Sequence, residues 1–164
     1  MAKLVPCLWY SEKAEEAAAF YAGRLPDSRV DRVRALPADS PSGPAGSVKI
    51  VEFTLVGQPF FAMSAPPIAS FNHAISLMIH CDTQEEIDRL WAALSEGGAT
   101  QRCGWLKDRY GLYWQIMPSC LGELMSDPDP ARAKRVAEAM LKMGKLEIAD
   151  LVKAGEGSAS KNAP

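Results

Sequence analysis

The sequence lacks several features that would point directly to a class of partner. Its 164 residues carry a formal net charge of −2 with both signs interspersed, so it has no basic surface for nucleic acid or an anionic membrane. No apolar run approaches the roughly 20 residues needed to cross a bilayer. The N-terminus lacks the charged region, apolar core and cleavage site of a secretory signal. We therefore expect a soluble, cytoplasmic protein that binds neither nucleic acid nor membrane.

The cysteines lack the spacing of a metal or redox site. Cys7, Cys81, Cys103 and Cys120 are far apart, and no C-x-x-C pair is present. Zinc sites and dithiol redox sites both need closely spaced cysteines. Each cysteine has apolar neighbours, and free cysteine is commonly buried as a small apolar residue. We therefore expect reduced, structural thiols.

The stretch from residue 71 to residue 117 has the clearest pattern of secondary structure. Its first strand alternates between an apolar row and a mixed row, because successive strand side chains point to opposite faces. The apolar row is Ile75, Leu77, Ile79 and Cys81. Thr83 and Glu86 form a capping box for a helix that ends at Gly97, and two short strands follow. The pattern predicts a β-α-β-β unit with one sheet face left partly polar.

The N-terminal part of the chain repeats this topology. A strand at residues 4–10 precedes a cap at Ser11 and a helix with an apolar stripe. The stripe residues Ala14, Ala17, Ala18 and Tyr21 correspond to Ile87, Leu90, Trp91 and Leu94 at a constant offset of 73. Strands are predicted at residues 29–36, 48–56 and 59–64, with a hairpin turn at residues 57–58. The repeat indicates two tandem modules.

We expect one domain over residues 1–154, built from these modules and a helical extension. Module one covers residues 3–65, and module two covers residues 71–118. The extension, residues 119–154, follows from a helix-start signal at residues 127–130 and from an apolar stripe. The stripe is Ala133, Val136, Ala137, Met140 and Met143. Residues 155–164 are small and polar, which predicts a flexible tail.

Several motifs resemble a known family. They are Pro-Cys-Leu-Trp-Tyr at residues 6–10, Ala-Glu-Glu-Ala at 14–17, Phe-Asn-His-Ala-Ile-Ser-Leu at 71–77, Cys-Gly-Trp-Leu-Lys-Asp-Arg-Tyr-Gly at 103–111, and Trp-Gln-Ile-Met-Pro at 114–118. With the two modules, they resemble the PhnB-like proteins of the vicinal oxygen chelate superfamily, which includes glyoxalase I, bleomycin-resistance proteins and extradiol dioxygenases. The resemblance extends over residues 3–153.

The resemblance implies an α+β fold. Two βαβββ modules would curl their sheets around a central cavity, with the C-terminal extension packed outside. It also implies a homodimer that covers open sheet edges, with the C-terminal stripe at or near the interface. The group often carries the label 3-demethylubiquinone-9 3-methyltransferase. This chain has no glycine-rich turn of the kind that holds S-adenosylmethionine, and a shared fold does not transfer a reaction.

The metal ligands of the superfamily are not matched by this chain. Metal-dependent members are similar in taking His, Glu or Gln ligands from the first and last strands of each module. Alignment by strands puts Pro6, Met63, Ser76 and Gln115 there; only Gln115 is of a ligand type, and it cannot assemble a site alone. Proline and methionine are not ligands for hard or borderline divalent ions, and serine is a poor one. We therefore expect no metal site and no cofactor.

The predicted cavity has a largely apolar lining. The predicted ligand-binding residues are Pro6, Leu8, Phe61, Met63, Ser76, Met78, Trp105, Tyr113 and Gln115. An apolar lining with few polar groups is typical of a small-molecule pocket. The alternative is that Trp105 and the other aromatic residues on strands are plain core residues.

Glu52 is the candidate acid–base residue, because it is a carboxylate inside an otherwise apolar strand. Burial of an unpaired carboxylate is costly, so a carboxylate kept at a buried position indicates a role, as a general base or a substrate anchor. Pairing with a nearby Arg or Lys, or exposure to solvent, is the alternative. His73 and His80 are interpreted as surface histidines, and residues 108–111 as a tight turn without a chemical role.

Two classes of function remain open at this point. One is metal-independent binding of a small, largely apolar molecule in the sheet cavity. The other is an enzyme, a lyase, isomerase or transferase, with Glu52 as acid or base and Gln115, Ser76 or Tyr113 as polarising donors. Methyl transfer rests only on the family label. The sequence has neither a paired carboxylate nor a nucleophile–histidine pair, which favours binding.

Overall fold

The structure is a computed structural model that describes residues 3–66 and 70–157. The described residues form an α+β protein with two four-stranded mixed sheets and five helices, as the sequence predicts. The chain divides into two compact units, Met1–Ser70 and Phe71–Pro164. That they act as one domain over residues 1–154 stays a prediction. None of the helices in the described part is long and apolar enough to cross a bilayer.

The N-terminal unit is one βαβββ module. Its elements are β1 (Cys7–Tyr10), α1 (Ala14–Ala22), β2 (Arg29–Ala35), β3 (Lys49–Leu55) and β4 (Gln58–Ser64). The strand order is β1-β4-β3-β2, with β1 parallel to β4 and the other pairs antiparallel. Val56 and Gly57 connect β3 to β4 with φ of 48° and 74°. The hairpin turn therefore lies one residue earlier than predicted, because a primed two-residue turn needs positive φ at both positions.

The predicted apolar stripe of α1 packs against the sheet. Ala14, Ala17, Ala18 and Tyr21 are all buried, and the small side chains of the three alanines let the helix approach the strands closely. The helix begins later than the predicted cap at Ser11. The amide of Ala14 donates instead to the hydroxyl of Ser64 at 2.8 Å, so the cap comes from the end of β4.

The C-terminal unit repeats the module and adds three helices. Its elements are β5 (Leu77–Cys81), α2 (Gln84–Ser95), β6 (Ala99–Thr100), β7 (Trp105–Lys107), β8 (Tyr113–Pro118), α3 (Leu121–Met125), α4 (Pro130–Met140) and α5 (Ile148–Glu156). The strand order β5-β8-β7-β6 matches that of the first sheet. Ile87, Leu90 and Leu94 are fully buried under α2. Thr83 accepts a hydrogen bond from the amide of Glu86 at 3.2 Å, so the predicted cap is present.

The helical extension packs on its own unit. Its buried centre is formed by Leu121, Val136, Leu146 and Leu151, with Met117 and Met140 beside them. The apolar stripe of α4 therefore points into this cluster, and its expected place partly at or near a dimer interface stays a prediction. Gly155 is also buried, in contact range of Val136. The predicted tail thus starts too early, since α5 includes Gly155 and Glu156, and residues 158–164 lie outside the described part of the chain.

Candidate ligand-binding faces

The N-terminal sheet carries its candidate site residues on the face away from α1. Strand register aligns four side chains in one row across the sheet, namely Cys7, Phe61, Glu52 and Arg32. The next row contains Trp9, Met63, Ile50 and Arg34. Pro6 precedes β1, and its carbonyl accepts a hydrogen bond from the amide of Phe61 at 2.9 Å. Phe61, Met63 and Glu52 therefore share one face.

Leu8 is placed differently from the prediction. It pairs with Ala62 and is only 4% exposed, in the layer beneath α1. The face that Phe61 and Met63 share receives Cys7 and Trp9 from β1. A shift of one residue moves a strand side chain to the opposite face. Leu8 is thus a core residue, and Cys7 takes its place beside Phe61.

Glu52 has a paired and partly exposed side chain. Its Oε1 lies 3.0 Å from Nη2 of Arg34, and 37% of the side chain is exposed. The alternative interpretation, pairing with a neighbouring arginine, matches this geometry. An exposed ion pair contributes little to stability. Catalysis by Glu52 stays a prediction.

A groove of about 930 Å³ runs along this face of the N-terminal sheet. Its walls include Phe61 and Pro59 on β4, Cys7 on β1, and the charged side chains of β2 and β3. A volume of this size suits a small organic molecule, since ligand pockets typically span about 300–1,000 Å³.

The C-terminal sheet also has one face away from its helix. Met78, Gln115 and Trp105 lie in one row across β5, β8 and β7. The amide Nε2 of Gln115 donates to the hydroxyl of Ser76 at 2.8 Å. Tyr113 is two residues from Gln115 on the same strand and shares its face. All five residues predicted for module two therefore lie on one side of this sheet.

His73 joins this face and was missed as a site residue. Its ring lies 4.1 Å from the ring of Tyr113 and 5.6 Å from that of Trp105, measured between centroids. Its Nε2 is 2.8 Å from Oε1 of Gln101. The side chain is exposed, as predicted, but it is held by these contacts. His73, Trp105 and Tyr113 are called the aromatic cluster below.

The turn between β7 and β8 supports the aromatic cluster. Asp108 accepts hydrogen bonds from the amides of Tyr110 and Leu112 at 2.8 and 3.1 Å and from Nε1 of Trp114 at 2.8 Å. Gly111 has a φ of 89°, which favours glycine. These contacts explain the turn motif by geometry, as the sequence predicts.

The donor set at the superfamily's metal positions does not fit a divalent ion. Pro6 and Met63 offer no hard donor, and the oxygen of Ser76 already accepts a hydrogen bond from Gln115. Within residues 3–66 and 70–157, no three His, Cys, Asp or Glu side chains converge on a point. The chemistry of these residues therefore supports no reaction step that passes through a metal.

The cysteines differ in accessibility. Cys81 is fully buried, and burial, reinforced by the negative charges of Glu86 and Asp82, raises the pKa of its thiol to about 12. Cys7 is exposed on the groove face, and partial desolvation raises its thiol pKa above the ordinary value. Neither environment produces the low-pKa thiolate that a nucleophilic cysteine needs.

Tandem βαβββ units with a free sheet face define a protein of the vicinal oxygen chelate fold. The family model described as 3-demethylubiquinone-9 3-methyltransferase matches residues 2–117, and the chain belongs to this family. None of the curated proteins matches the chain.

Solved structures support the same assignment. A putative 3-demethylubiquinone-9 3-methyltransferase, a PhnB protein from Bacillus cereus, is 29% identical over 72% of this chain and 100% of its own, with a TM-score of 0.64. A protein from Pseudomonas aeruginosa is 23% identical over 72% and 98%, with a TM-score of 0.56. The fosfomycin resistance protein FosX from Mesorhizobium loti is 14% identical over 77% and 100%, with a TM-score of 0.54. At these identities the last two indicate the fold alone.

Proposed function

We propose that this protein binds a small, planar, largely apolar molecule without a metal. The observation that carries the proposal is the aromatic cluster beside the hydrogen-bonded pair of Gln115 and Ser76. Aromatic faces gain about 0.5–1.5 kcal/mol per stacked pair beyond the area they bury. A flat ligand is the shape that uses such a surface best.

The polar part of this face is small and already oriented. Because the Nε2 of Gln115 is engaged by Ser76, the oxygen of Gln115 and the hydroxyl hydrogen of Ser76 are left to meet a ligand. One acceptor and one donor beside an aromatic surface can fix the orientation of a ligand that has a carbonyl or hydroxyl group. Quinones and phenols are the simplest molecules of this kind.

A thermal-shift screen tests the proposal. Menadione, an aromatic antibiotic, a small α-keto acid and S-adenosylmethionine are compared on the wild-type protein and on Trp105→Ala. A ligand that binds the folded state raises the unfolding temperature, by an amount that grows with the ratio of ligand concentration to its dissociation constant. We expect menadione to raise the temperature in the wild type, with or without EDTA, and to lose most of this effect in Trp105→Ala.

The matched control is Trp91→Ala. Trp91 is a half-buried tryptophan on α2, outside the aromatic cluster. Its removal should lower stability without changing the shift that menadione produces. Equal loss of the shift in both variants, or loss of binding on addition of EDTA, contradicts the proposal.

The same screen separates binding from catalysis. The family description names a methyl transfer, so S-adenosylmethionine is included as substrate and its consumption is followed. Glu52→Gln is assayed in parallel, because Glu52 is the candidate acid–base residue. A ligand recovered unchanged supports binding, whereas turnover that disappears in Glu52→Gln makes the protein an enzyme.

We also propose a homodimer. Trp9 on β1 and Met78 on β5 are large apolar side chains on edge strands, 36% and 48% exposed. Edge strands with apolar exposure are commonly covered by a partner. Light scattering at micromolar concentration should give twice the chain mass, and a monomeric mass would contradict this part of the proposal.

A further inference from the structure

The edge strand β2 contains a β-bulge that gathers arginines on one side of the N-terminal sheet. Val30 pairs with Phe53 and Arg32 pairs with Glu52, so Asp31 is an extra residue in the ladder. Without the bulge, alternation would send Arg29 to the face opposite Arg32. With it, three guanidinium groups, those of Arg29, Arg32 and Arg34, lie along the groove beside β3 and β4. Bulges often re-aim side chains at binding sites.

Two of these three arginines are neutralised by carboxylates. Nε of Arg29 lies 2.7 Å from Oδ1 of Asp31, whose Oδ2 accepts a hydrogen bond from the hydroxyl of Thr54 at 2.7 Å. Arg34 pairs with Glu52 at 3.0 Å. Both carboxylates of the groove are thereby engaged.

Arg32 is the arginine left over. Among residues 3–66 and 70–157, no carboxylate lies within ion-pairing distance of its guanidinium group. Three guanidinium groups and two carboxylates leave the groove with one net positive charge. Arg32 lies in the same row as Phe61 and Cys7, with Glu52 between, so the groove combines this charge with an apolar wall on β4 and β1.

We propose that this groove binds the carboxylate of a small aromatic or aliphatic acid. The guanidinium of Arg32 would receive the carboxylate through two parallel hydrogen bonds, and the apolar body would lie against Phe61 and Pro59. A monoanion matches the single unbalanced charge, whereas a dianion such as phosphate would leave one negative charge without a partner in the groove. The proposal goes beyond the proposed function, because it concerns the N-terminal sheet alone and does not involve the aromatic cluster.

The test is a titration of ¹⁵N-labelled protein followed by NMR. The three probes are phenylacetate, its neutral isostere phenylacetamide, and inorganic phosphate. Phenylacetate should shift the amide signals of Arg32, Glu52 and Phe61, and its dissociation constant should be about tenfold lower than that of phenylacetamide, the ratio expected for one charged hydrogen-bonded contact. Phosphate should bind more weakly than phenylacetate.

Two groove variants give opposite expectations. Arg32→Gln should weaken phenylacetate binding about tenfold and leave phenylacetamide unchanged. Glu52→Gln releases Arg34 from its ion pair and adds a positive charge, so it should tighten phenylacetate binding. Arg132→Gln, which removes an arginine of the C-terminal unit from its pair with Asp127, is the control for total charge and should have no effect.

Arg32→Lys keeps the fold and charge but loses the planar fork, and it should bind phenylacetate with intermediate affinity. Equal binding of phenylacetate and its amide, an unchanged affinity in Arg32→Gln, or tighter binding of phosphate would overturn the proposal. Failure of phenylacetate to shift any signal would also overturn it, with β2 then explained as an edge strand protected by charge. Because menadione is neutral and Trp105 is unchanged in these variants, the outcome is independent of the test of the proposed function.

Discussion

Nε1 of Trp114 donates a 2.8 Å hydrogen bond to Oδ2 of Asp108, and both side chains are about 1% exposed. The other oxygen of this carboxylate accepts from the amides of Tyr110 and Leu112. One buried side chain therefore satisfies three donors in the connection between β7 and β8. With the backbone pairing of β7 and β8, this carboxylate helps to fix the relative position of the strands that carry Trp105 and Tyr113.

The first prediction concerns Asp108→Ala. Removal of the carboxylate leaves three donors without their acceptor, and each buried unsatisfied group costs about 1–3 kcal/mol. Since the turn can relax partly towards water, we expect a loss of about 3–4 kcal/mol in the free energy of unfolding by urea.

Asp39→Ala is the matched control for Asp108→Ala. Asp39 accepts one hydrogen bond from the amide of Ala45 at 2.8 Å in an exposed loop. Water can replace this acceptor, so its loss should cost less than about 1 kcal/mol. Similar costs for the two variants would contradict a special role for Asp108.

Gly104→Ala should be strongly destabilising. Gly104 has a φ of 76°, and a Cβ there would lie 2.6 Å from the carbonyl oxygen of Ile116 and 3.3 Å from Leu146. The left-handed conformation costs an L-residue about 1–2 kcal/mol, and forced overpacking adds about 1–3 kcal/mol.

Gly46→Ala separates the two costs. Gly46 has a φ of 84°, but a Cβ there meets nothing within 4 Å. It should therefore lose only the conformational part, about 1–2 kcal/mol. Urea unfolding of both variants measures the difference, and equal losses would show that the contacts around Gly104 do not matter.

Local periodicity explains why much of the fold could be predicted. Ile87, Leu90 and Leu94 recur at helical spacing, and the structure buries all three. The same holds for Ala14 and Tyr21 in the first module. Such stripes need only neighbouring residues to be recognised. The order of the elements followed from their repetition.

Long-range pairing explains what the sequence could not reveal. Val30 and Val33 are three residues apart, which breaks the alternation of a strand. Only their pairing with Phe53 and Val51 identifies Asp31 as the bulged residue. The cap of α1 is likewise supplied by a side chain that is distant in sequence, so no motif near the start of the helix indicates it.

The candidate site was predictable to the extent that strand alternation held. Alternation grouped Ser76 with Met78, and Tyr113 with Gln115, and the structure places Met78 beside Gln115 on one face. On β1, the assumed face was displaced by one residue, so Leu8 was chosen instead of Cys7. His73 was missed because its partners lie on distant strands, and a histidine in a loop carries no local sign of stacking.

Alkylation of the native protein should distinguish the cysteines. Cys81 is fully buried and its pKa is raised to about 12, so iodoacetamide at pH 8 should leave it unmodified, because only the thiolate reacts. Cys7 is exposed and should react, although more slowly than a cysteine of ordinary pKa. Peptide mass spectrometry checks both, with urea-unfolded protein as the control in which both react. Labelling of Cys81 before Cys7 would contradict the assignment.

The attachment of the extension to α2 should weaken in acid. Lys145 pairs with Asp88 and with Glu147. Hydrogen bonds that Lys145 and Gln84 donate to Asp88 lower the pKa of this carboxyl. The pKa of Lys145 is raised by its hydrogen bonds to Asp88 and Glu147. Because the pKa of Asp88 is lower in the folded state, its ion pair contributes full stability above pH 3.8, the ordinary pKa of this carboxyl. This contribution is lost as pH falls through the folded-state pKa. The raised pKa of Lys145 matters only at alkaline pH, where the stability contributed by its ion pairs is lost as pH rises through the folded-state pKa of the lysine.

Hydrogen exchange at Ile148 reports this attachment, since its amide donates to Oε1 of Gln84 at 2.9 Å. Its protection factor should be constant near neutrality and fall below pH 4, the region set by Asp88. In Asp88→Asn the acid-dependent part should be absent. An unchanged acid dependence in this variant would assign it to another carboxylate.

The last prediction separates His73 from His80. His73 contacts Tyr113 and Trp105, whereas His80 is exposed on β5 in register with Met117. His73→Ala should therefore change the near-ultraviolet circular dichroism of the aromatic residues and lower the free energy of unfolding by about 0.5–1 kcal/mol, a modest value because the ring is exposed. His73→Phe keeps the ring but loses the contact with Gln101, so it should retain most of the dichroism. His80→Ala should change neither quantity. A dichroism change in His80→Ala equal to that in His73→Ala would contradict the stacking of His73 on the aromatic residues.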